Sequence, residues 1–336
     1  MRLRTFILLR ILLTIPMVLI LVTLVFGIMH ILPGDPVLAV LGSRQATQQE
    51  IDALRHQLGL DKPLYLQYLD YVSGLLTGNL GYSMTRQDPV TTELAIHLPG
   101  TISLTFWSML LAIPLGIYGG VFAAKKGGKI DASIRIGALV RWCIPVFWFG
   151  LALQIIVVQF NLPLPIAGQA NPRIIGVPMI TGLYVVDAIL ARDPQAVLDA
   201  FIHLLLPVLT LGTTMAASIT QISRTNVVAV LGEEYIKIAG LKGLTDEEVF
   251  QRHALPNALI PILTYTGLQV AILLTGAVLT ETVFSWPGLG RLLIDAVGYR
   301  DFNLVQGCIV LFAIVVSIVN LIVDISYAIV DPRVRF

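Results

Sequence analysis

The chain has 336 residues, of which 56% are hydrophobic and only 13% are charged. This composition is too apolar for an ordinary soluble domain and predicts an integral membrane protein. A formal net charge of +1 gives no reason to expect nucleic-acid binding. Cys143 and Cys308 both lie in apolar runs without the spacing of metal ligands, so we expect buried thiols and no disulfide framework.

Long apolar runs predict six membrane-spanning helices in an all-α protein. The first run follows Arg2, Arg4 and Arg10 and approaches the roughly 20 residues that cross a bilayer, so we predict a retained span rather than a cleaved signal peptide. The predicted spans are 11–31, 101–124, 136–160, 201–223, 257–280 and 302–323. Without repeats or linker-like composition, residues 1–336 are expected to form a single membrane domain.

Two longer polar segments, 38–100 and 161–200, separate some of these spans. Apolar residues at helical spacing, such as Ile51, Leu54 and Leu58, predict short amphipathic helices that lie against the membrane or a partner. A further turn signal, Trp286-Pro287-Gly288, precedes a predicted helix over 289–297 that is too short to span.

Lysine and arginine predict the orientation of the spans. Lys125, Lys126 and Lys129 directly follow the second predicted span, and the side that holds both chain ends carries most of the basic residues. Since positive residues favour the cytoplasmic side, we expect both termini to be cytoplasmic and segments 38–100 and 161–200 to lie outside.

The stretch 232–256, called the 232–256 loop below, is polar and lies between two apolar runs. Good helix formers over 233–241 predict a first helix, which ends near Gly240 and Gly243. Thr245 is a predicted N-cap of a second helix, with Glu248 three residues later as in a capping box. The second helix reaches Pro256, where the next span starts. We expect a cytoplasmic helix–turn–helix, with an ordinary amphipathic loop as the alternative.

Residue spacing in the 232–256 loop favours the helix–turn–helix over an ordinary amphipathic loop. Lys237-Ile238-Ala239 is followed after three residues by Gly243, and after nine more by His253, one residue, and then Leu255-Pro256. The spacing resembles the EAA loop of ABC importer permeases, in which Glu-Ala-Ala, Gly, Ile and Leu-Pro stand at the same intervals. The chain departs from that pattern at Lys237, Ile238 and His253, and its departures resemble the dipeptide, oligopeptide and nickel group of the family.

This resemblance implies an ABC type I importer permease fold and a loop that couples the permease to ATPase subunits. The coupling residues that it implies are Glu234, Tyr235, Lys237, Ala239, Gly240, Gly243, Leu244, Thr245, Phe250, His253 and Pro256. It also implies a second permease subunit (identical or sister), two ATPase subunits that bind ATP and Mg²⁺, and an external solute-binding protein. The chain itself is expected to bind no cofactor or metal, to have no catalytic residues and to lie in the cell membrane among lipid. Di- or oligopeptides are the expected solute, with oligosaccharides and nickel as alternatives.

Two other functional classes, an intramembrane enzyme and a passive channel, remain as alternatives. The glycines before Lys129 lack the spacing of a phosphate loop, and the five histidines are scattered. Arg141 and Asp324 are ionisable residues at membrane depth and are therefore candidate functional residues. Snorkelling is the alternative for Arg141, and helix packing is the alternative for Asp324. Gln154 could line a path or join helices.

Overall fold

Helices make up most of the computed structural model, which describes residues 3–31, 37, 47–57, 59–174 and 176–330. Their bounds are α1 (Leu3–Ile31), α2 (Gln48–Gln57), α3 (Leu64–Leu76), α4 (Val90–Lys126), α5 (Gly128–Cys143), α6 (Val146–Gln159), α7 (Tyr184–Leu190), α8 (Pro194–Leu231), α9 (Glu234–Leu241), α10 (Asp246–Val249), a π-helix (Phe250–Ala254), α11 (Leu255–Val283), α12 (Leu289–Gly298) and α13 (Phe302–Val330). The predicted all-α fold is confirmed.

Length and apolar composition make five helical segments of the described chain long enough to cross a membrane. They are Leu12–Ile31, Val90–Lys126, Pro194–Leu231, Asp246–Leu274 and Phe302–Val323. A sixth span results if the bent pair α5 and α6 crosses as one unit. The helices extend beyond the predicted spans: α4 begins at Val90, and its 37 residues are about 56 Å long, against a bilayer core of about 30 Å.

The short helices outside the spans also appear where the sequence predicts them. Within segment 38–100 lie α2 and α3, and α12 follows the Trp286 turn. Segment 161–200 contains α7 and the first turns of α8. Arg2, residues 38–46 and Leu58 lie outside the described residues, as do the side chains of Arg4, Arg10, Leu54 and Asp324.

The third predicted span, 136–160, is not one straight helix. It is divided between α5 and α6, which meet at an angle of 98°. The break falls at Ile144, whose backbone is extended, and Pro145, which precedes α6. Proline lacks the N–H that would continue α5 and disfavours helical geometry in the residue before it. At this break Cys143 is exposed, contrary to expectation, whereas Cys308 is buried as expected.

Arg141 lies beside the break and binds α8. Its Nε donates to Thr213 Oγ1 at 2.8 Å, and one Nη donates to the carbonyl oxygen of Thr210 at 2.7 Å. The guanidinium also lies 3.9 Å from the centre of the Phe149 ring on α6. These contacts account for Arg141 as a packing residue that holds α5, α6 and α8 together, rather than as a snorkelling side chain.

The described chain divides into two compact units, one of residues 100–286 with 319–336 and the other of residues 1–99 with 287–318. In the first unit, glycines bring α4 against α8. A Cβ at Gly116 would lie 2.5 Å from Ile219 Cβ, and a Cβ at Gly120 would lie 2.5 Å from the backbone oxygen of Thr220. Small residues allow this close approach of helices in membranes.

Polar side chains also join distant parts of this unit. Arg224 on α8 forms two hydrogen bonds to the Asp131 carboxylate on α5, at 2.9 and 2.8 Å. Gln154 Nε2 on α6 donates to the carbonyl oxygen of Val283 on α11 at 3.0 Å. The latter contact favours helix joining over path lining for Gln154.

The other unit has its own apolar core, which includes Val90, Leu292 and Phe302. Asp301 is fully buried beside this core and precedes α13. Its carboxylate accepts hydrogen bonds from Ser83 Oγ at 2.6 Å and from Thr85 Oγ1 at 2.9 Å, and from the backbone N–H of Leu304. Asp301 therefore caps the helix α13 and fixes the end of segment 38–100 to it.

Candidate functional site

The 232–256 loop contains α9, a turn, α10 and the π-helix. The capping box predicted for its second helix is present. Thr245 Oγ1 accepts from the Glu248 backbone N–H at 3.3 Å, and the Glu248 carboxylate accepts from the Thr245 backbone N–H at 3.1 Å. The second helix reaches the span as the sequence predicts, and it continues into it, because α10, the π-helix and α11 follow one another without a break. Motion of α10 is therefore directly linked to α11.

Gly243 forms the turn between the two loop helices. Its φ is +88°, a region that residues with a Cβ rarely adopt, and its N–H donates to the carbonyl oxygen of Gly240 at 3.0 Å. A Cβ at this position would meet nothing within 4 Å. Gly243 is therefore required by backbone conformation, and the space around it is open.

One face of the loop is buried against the ends of the spans. Ile236 and Ala239 from α9, with Val249 and Phe250 from the second half, form a cluster with Val227 of α8. Leu244 in the turn is partly buried against the same cluster. These contacts hold the two loop helices together as one body against α8 and α11.

The opposite face of α9 exposes large apolar side chains. Leu241 is 87% exposed and Ile238 is 51% exposed, and Tyr235 beside them is also exposed. Their spacing of three residues puts them on one side of the helix. Exposed apolar side chains on a polar segment are typical of an interaction surface, and we call Tyr235, Ile238 and Leu241 the exposed α9 face.

Lys125, at the end of α4, secures the second half of the loop. Its Nζ lies 2.8 Å from Glu247 Oε2 and 4.3 Å from the centre of the Phe250 ring. Glu247 also accepts from Gln251 Nε2 at 2.6 Å. The loop is thus tied to α4 as well as to α8 and α11.

The residues that the sequence analysis selects fall into three groups. Exposed are Glu234, Tyr235, Lys237, Gly240, Gly243, Thr245 and Pro256. Buried are Ala239 and Phe250, and of intermediate exposure are Leu244 and His253. The selection omitted Ile238 and Leu241, although three-residue spacing from Tyr235 could have identified both. Among the residues that the structure describes, no three His, Cys, Asp or Glu side chains are placed to hold a metal ion.

Family models match nearly the whole chain. Residues 112–336 match the family described as binding-protein-dependent transport system inner membrane component. Residues 3–105 match the N-terminal family of such membrane components. The 232–256 loop lies within the first of these matches.

Curated proteins are similar over almost their full length. A di/tripeptide transport system permease protein of Pseudomonas aeruginosa (strain UCBPP-PA14) is 43% identical, with 93% of each chain covered. The dipeptide transport system permease protein DppB of Escherichia coli (strain K12) is 41% identical, with 98% of each covered. A glutathione transport system permease protein of Escherichia coli O6:H1 is 36% identical, with 97% of each covered.

A solved structure shares the fold. It is described as an amino acid ABC transporter with histidines, and it is 18% identical to this chain with a TM-score of 0.51. The alignment covers 70% of this chain and 94% of the other.

Proposed function

We propose that this chain, which belongs to the family of binding-protein-dependent transport system inner membrane components, forms the path by which di- and oligopeptides cross the membrane. It is a multi-pass permease of the inner membrane, one component of an ABC importer, and not an enzyme by itself. The observation that carries the peptide assignment is 41–43% identity over nearly full length to permeases named for dipeptides and di/tripeptides.

The 232–256 loop is the part that couples this permease to ATP hydrolysis. Its buried face is anchored to α4, α8 and α11, so a force on the loop reaches three candidate spans. Its exposed α9 face offers Tyr235, Ile238 and Leu241 to a partner. An apolar helix face that enters a hydrophobic groove is a common mode of recognition.

The partners of such a permease are two ATPase subunits, a second permease subunit and an external solute-binding protein. ATP and Mg²⁺ belong to the ATPase subunits, and ATP-driven closure of these subunits moves the loops together. Large apolar side chains on the candidate spans, such as Leu24, Phe106 and Ile155, are exposed in the isolated chain. This exposed apolar surface supports membrane lipid and a second permease subunit as neighbours.

Orientation follows from the basic residues near the end of α4. Both termini and the 232–256 loop lie in the cytoplasm, and α2 and α3 lie outside. Single cysteines at Gln49 and Lys126, with Cys143 and Cys308 replaced, test this arrangement. A membrane-impermeant thiol reagent should label position 49 in intact cells, and labelling of position 126 instead would reverse the orientation.

Transport by the reconstituted system tests the substrate. The permease, its partner permease, the ATPase subunits and the solute-binding protein are placed in proteoliposomes with external binding protein and internal ATP. We expect ATP-dependent uptake of labelled dialanine, and we compare it with glutathione, an oligosaccharide and Ni²⁺. Uptake of the oligosaccharide or Ni²⁺ without uptake of either peptide would contradict the peptide assignment.

A further inference from the structure

A cavity of about 540 Å³ lies among the end of α1, helix α3, residues 79–84 and the start of α13. All its lining residues belong to the unit of residues 1–99 and 287–318. Its volume is in the range of about 300–1,000 Å³ that small-molecule sites occupy. The apolar part of the wall consists of Phe26, Leu60, Leu80, Met84 and Phe302. The cavity is therefore large enough, and mixed enough in polarity, for a small organic ligand.

Two polar side chains, Gln306 and Tyr71, belong to this wall. Gln306 on α13 is only 4% exposed and lines the cavity. The Tyr71 hydroxyl on α3 is also buried without a partner. Burial raises the pKa of Tyr71, so its hydroxyl stays protonated and can donate. Since buried polar groups in proteins are normally hydrogen-bonded, the unpartnered Tyr71 hydroxyl indicates a ligand with polar atoms.

Opposite charges lie on the same wall. Lys62 Nζ and Asp70 Oδ2 are 2.6 Å apart, and their side chains are 51% and 59% exposed. An ion pair this exposed contributes little to stability. Lys62 and Asp70 can therefore separate and each bind a charged group of a ligand at a small cost in free energy. A zwitterion supplies a carboxylate for Lys62 and an ammonium group for Asp70.

Neighbouring polar side chains already have partners. Gln67 Nε2 donates to the carbonyl oxygen of Lys62 at 2.8 Å, and its Oε1 lies 3.3 Å from His30 Nε2. Asn303 Nδ2 donates to the carbonyl oxygen of Tyr82 at 2.9 Å. These groups shape the wall and leave Gln306 and Tyr71 for the ligand. The Gln306 amide both donates and accepts, as a peptide bond does.

We propose that this cavity binds a short zwitterionic peptide directly on the permease, with Lys62 on its carboxylate, Asp70 on its ammonium group, and Gln306 and Tyr71 on its peptide bond. The site contains no residue of the 232–256 loop, and all its residues belong to the permease itself. The inference rests on the proposed function for the choice of a peptide as the ligand.

Direct binding tests the proposal. The assembled transporter, without solute-binding protein and without ATP, is placed in nanodiscs of phosphatidylcholine, and equilibrium binding of labelled dialanine is measured. Gln306→Leu and Tyr71→Phe should each weaken binding about threefold to tenfold, the range expected for one lost hydrogen bond. Tyr71→Phe should not lower the melting temperature of the unliganded complex, because the removed hydroxyl has no partner to lose.

Tyr184→Phe is the matched control. Tyr184 also has a buried hydroxyl without a partner, but it lies on α7 and does not line this cavity. Its replacement should leave dialanine binding unchanged. Acetylated dialanine amide, which has neither charge, should bind at least tenfold more weakly to the parent than dialanine does, because Lys62 and Asp70 would then have no charged partner.

Three results would overturn the proposal. The first is absence of dialanine binding, or equal binding by the parent and Gln306→Leu. The second is loss of dialanine binding when phosphatidylethanolamine replaces phosphatidylcholine, which would assign the cavity to a lipid headgroup with a primary ammonium group. The third is weaker binding of the solute-binding protein to Gln306→Leu without any peptide effect, which would assign it to protein docking. Peptide uptake in proteoliposomes with any of these results would refute this site alone, whereas uptake of only a non-peptide solute would refute the proposed function.

Discussion

The 232–256 loop and the helices that surround Arg141 both combine charged groups with apolar surfaces, but their polar contacts differ in range. In the loop, Thr245 bonds to Glu248, three residues away, and Gln251 bonds to Glu247, four residues away. Around the bent span, Arg141 bonds to Thr213, 72 residues away. Contacts of the first kind follow from local helix chemistry, whereas those of the second kind exist only after distant helices have packed.

Gly120→Val should cause the largest loss of stability, because it disrupts packing between helices that are distant in sequence. Its Cβ would overlap the backbone oxygen of Thr220 at 2.5 Å and the backbone nitrogen of Arg224 at 2.7 Å. Backbone atoms cannot rotate away, so α4 and α8 must separate, at a cost of about 3 kcal/mol or more. We expect little assembled protein in the membrane, measured by membrane content and thermal denaturation in detergent.

Gly137→Val is the control for that substitution. Gly137 lies within α5, and a Cβ there would meet nothing within 4 Å. Both variants place valine in a helix. A difference between them in membrane content or in thermal denaturation is therefore due to the contact of α4 with α8. Equal membrane content of the two variants would show that this contact does not hold the spans together.

Arg141→Leu should have the next largest effect. The substitution removes the hydrogen bonds to Thr213 and Thr210 and the contact with Phe149. Hydrogen bonds from a charged group each contribute about 1.5–3 kcal/mol, so we expect about 2–3 kcal/mol of lost stability. Thermal denaturation of the purified complex measures it, and Arg135→Leu, at an exposed position on the same helix, should change the midpoint far less. Equal midpoints would indicate that Arg141 does not stabilise the bend.

Leu241→Ser tests the exposed face of the loop rather than its fold. Because Leu241 is exposed, the permease should fold as the parent does, but an interface that buries this leucine would lose about 2 kcal/mol. We expect retention of the ATPase subunits during purification to fall about tenfold or more. Leu76→Ser, at another exposed leucine in α3, should retain them fully. Full retention by Leu241→Ser would place the ATPase contact elsewhere.

Gly243→Val tests the local contacts of the loop, because it changes backbone conformation without disturbing packing between distant helices. Valine at a φ of +88° costs about 1–2 kcal/mol, while no neighbouring atom is displaced. The spans should still insert, but the turn between α9 and α10 should change, and ATP-driven uptake should fall well below the parent level. Gly232→Ala at the edge of the loop, where φ is −78°, should be milder. Parent-level uptake by Gly243→Val would contradict the coupling role of this loop.

Some features of the candidate site were predictable from the residues alone. The capping box follows from Thr245 and Glu248, because its two hydrogen bonds need only a three-residue separation. The turn at Gly243 follows in the same way, since only glycine adopts positive φ without strain. The sequence analysis did not identify the exposed α9 face, because it did not establish which side of α9 faces Val249 and Phe250.

The sequence by itself determined the six apolar segments, the positions of the polar segments between them and the local turns of the 232–256 loop. Hydrophobicity and capping act over one helix or less, so they can be read along the chain. Only the tertiary structure decided that the third segment bends by 98°, that Arg141 joins α8, and that Gln306 and Tyr71 face one cavity. Each of these depends on which distant helices lie side by side, and that arrangement is set by packing of whole faces rather than by neighbouring residues.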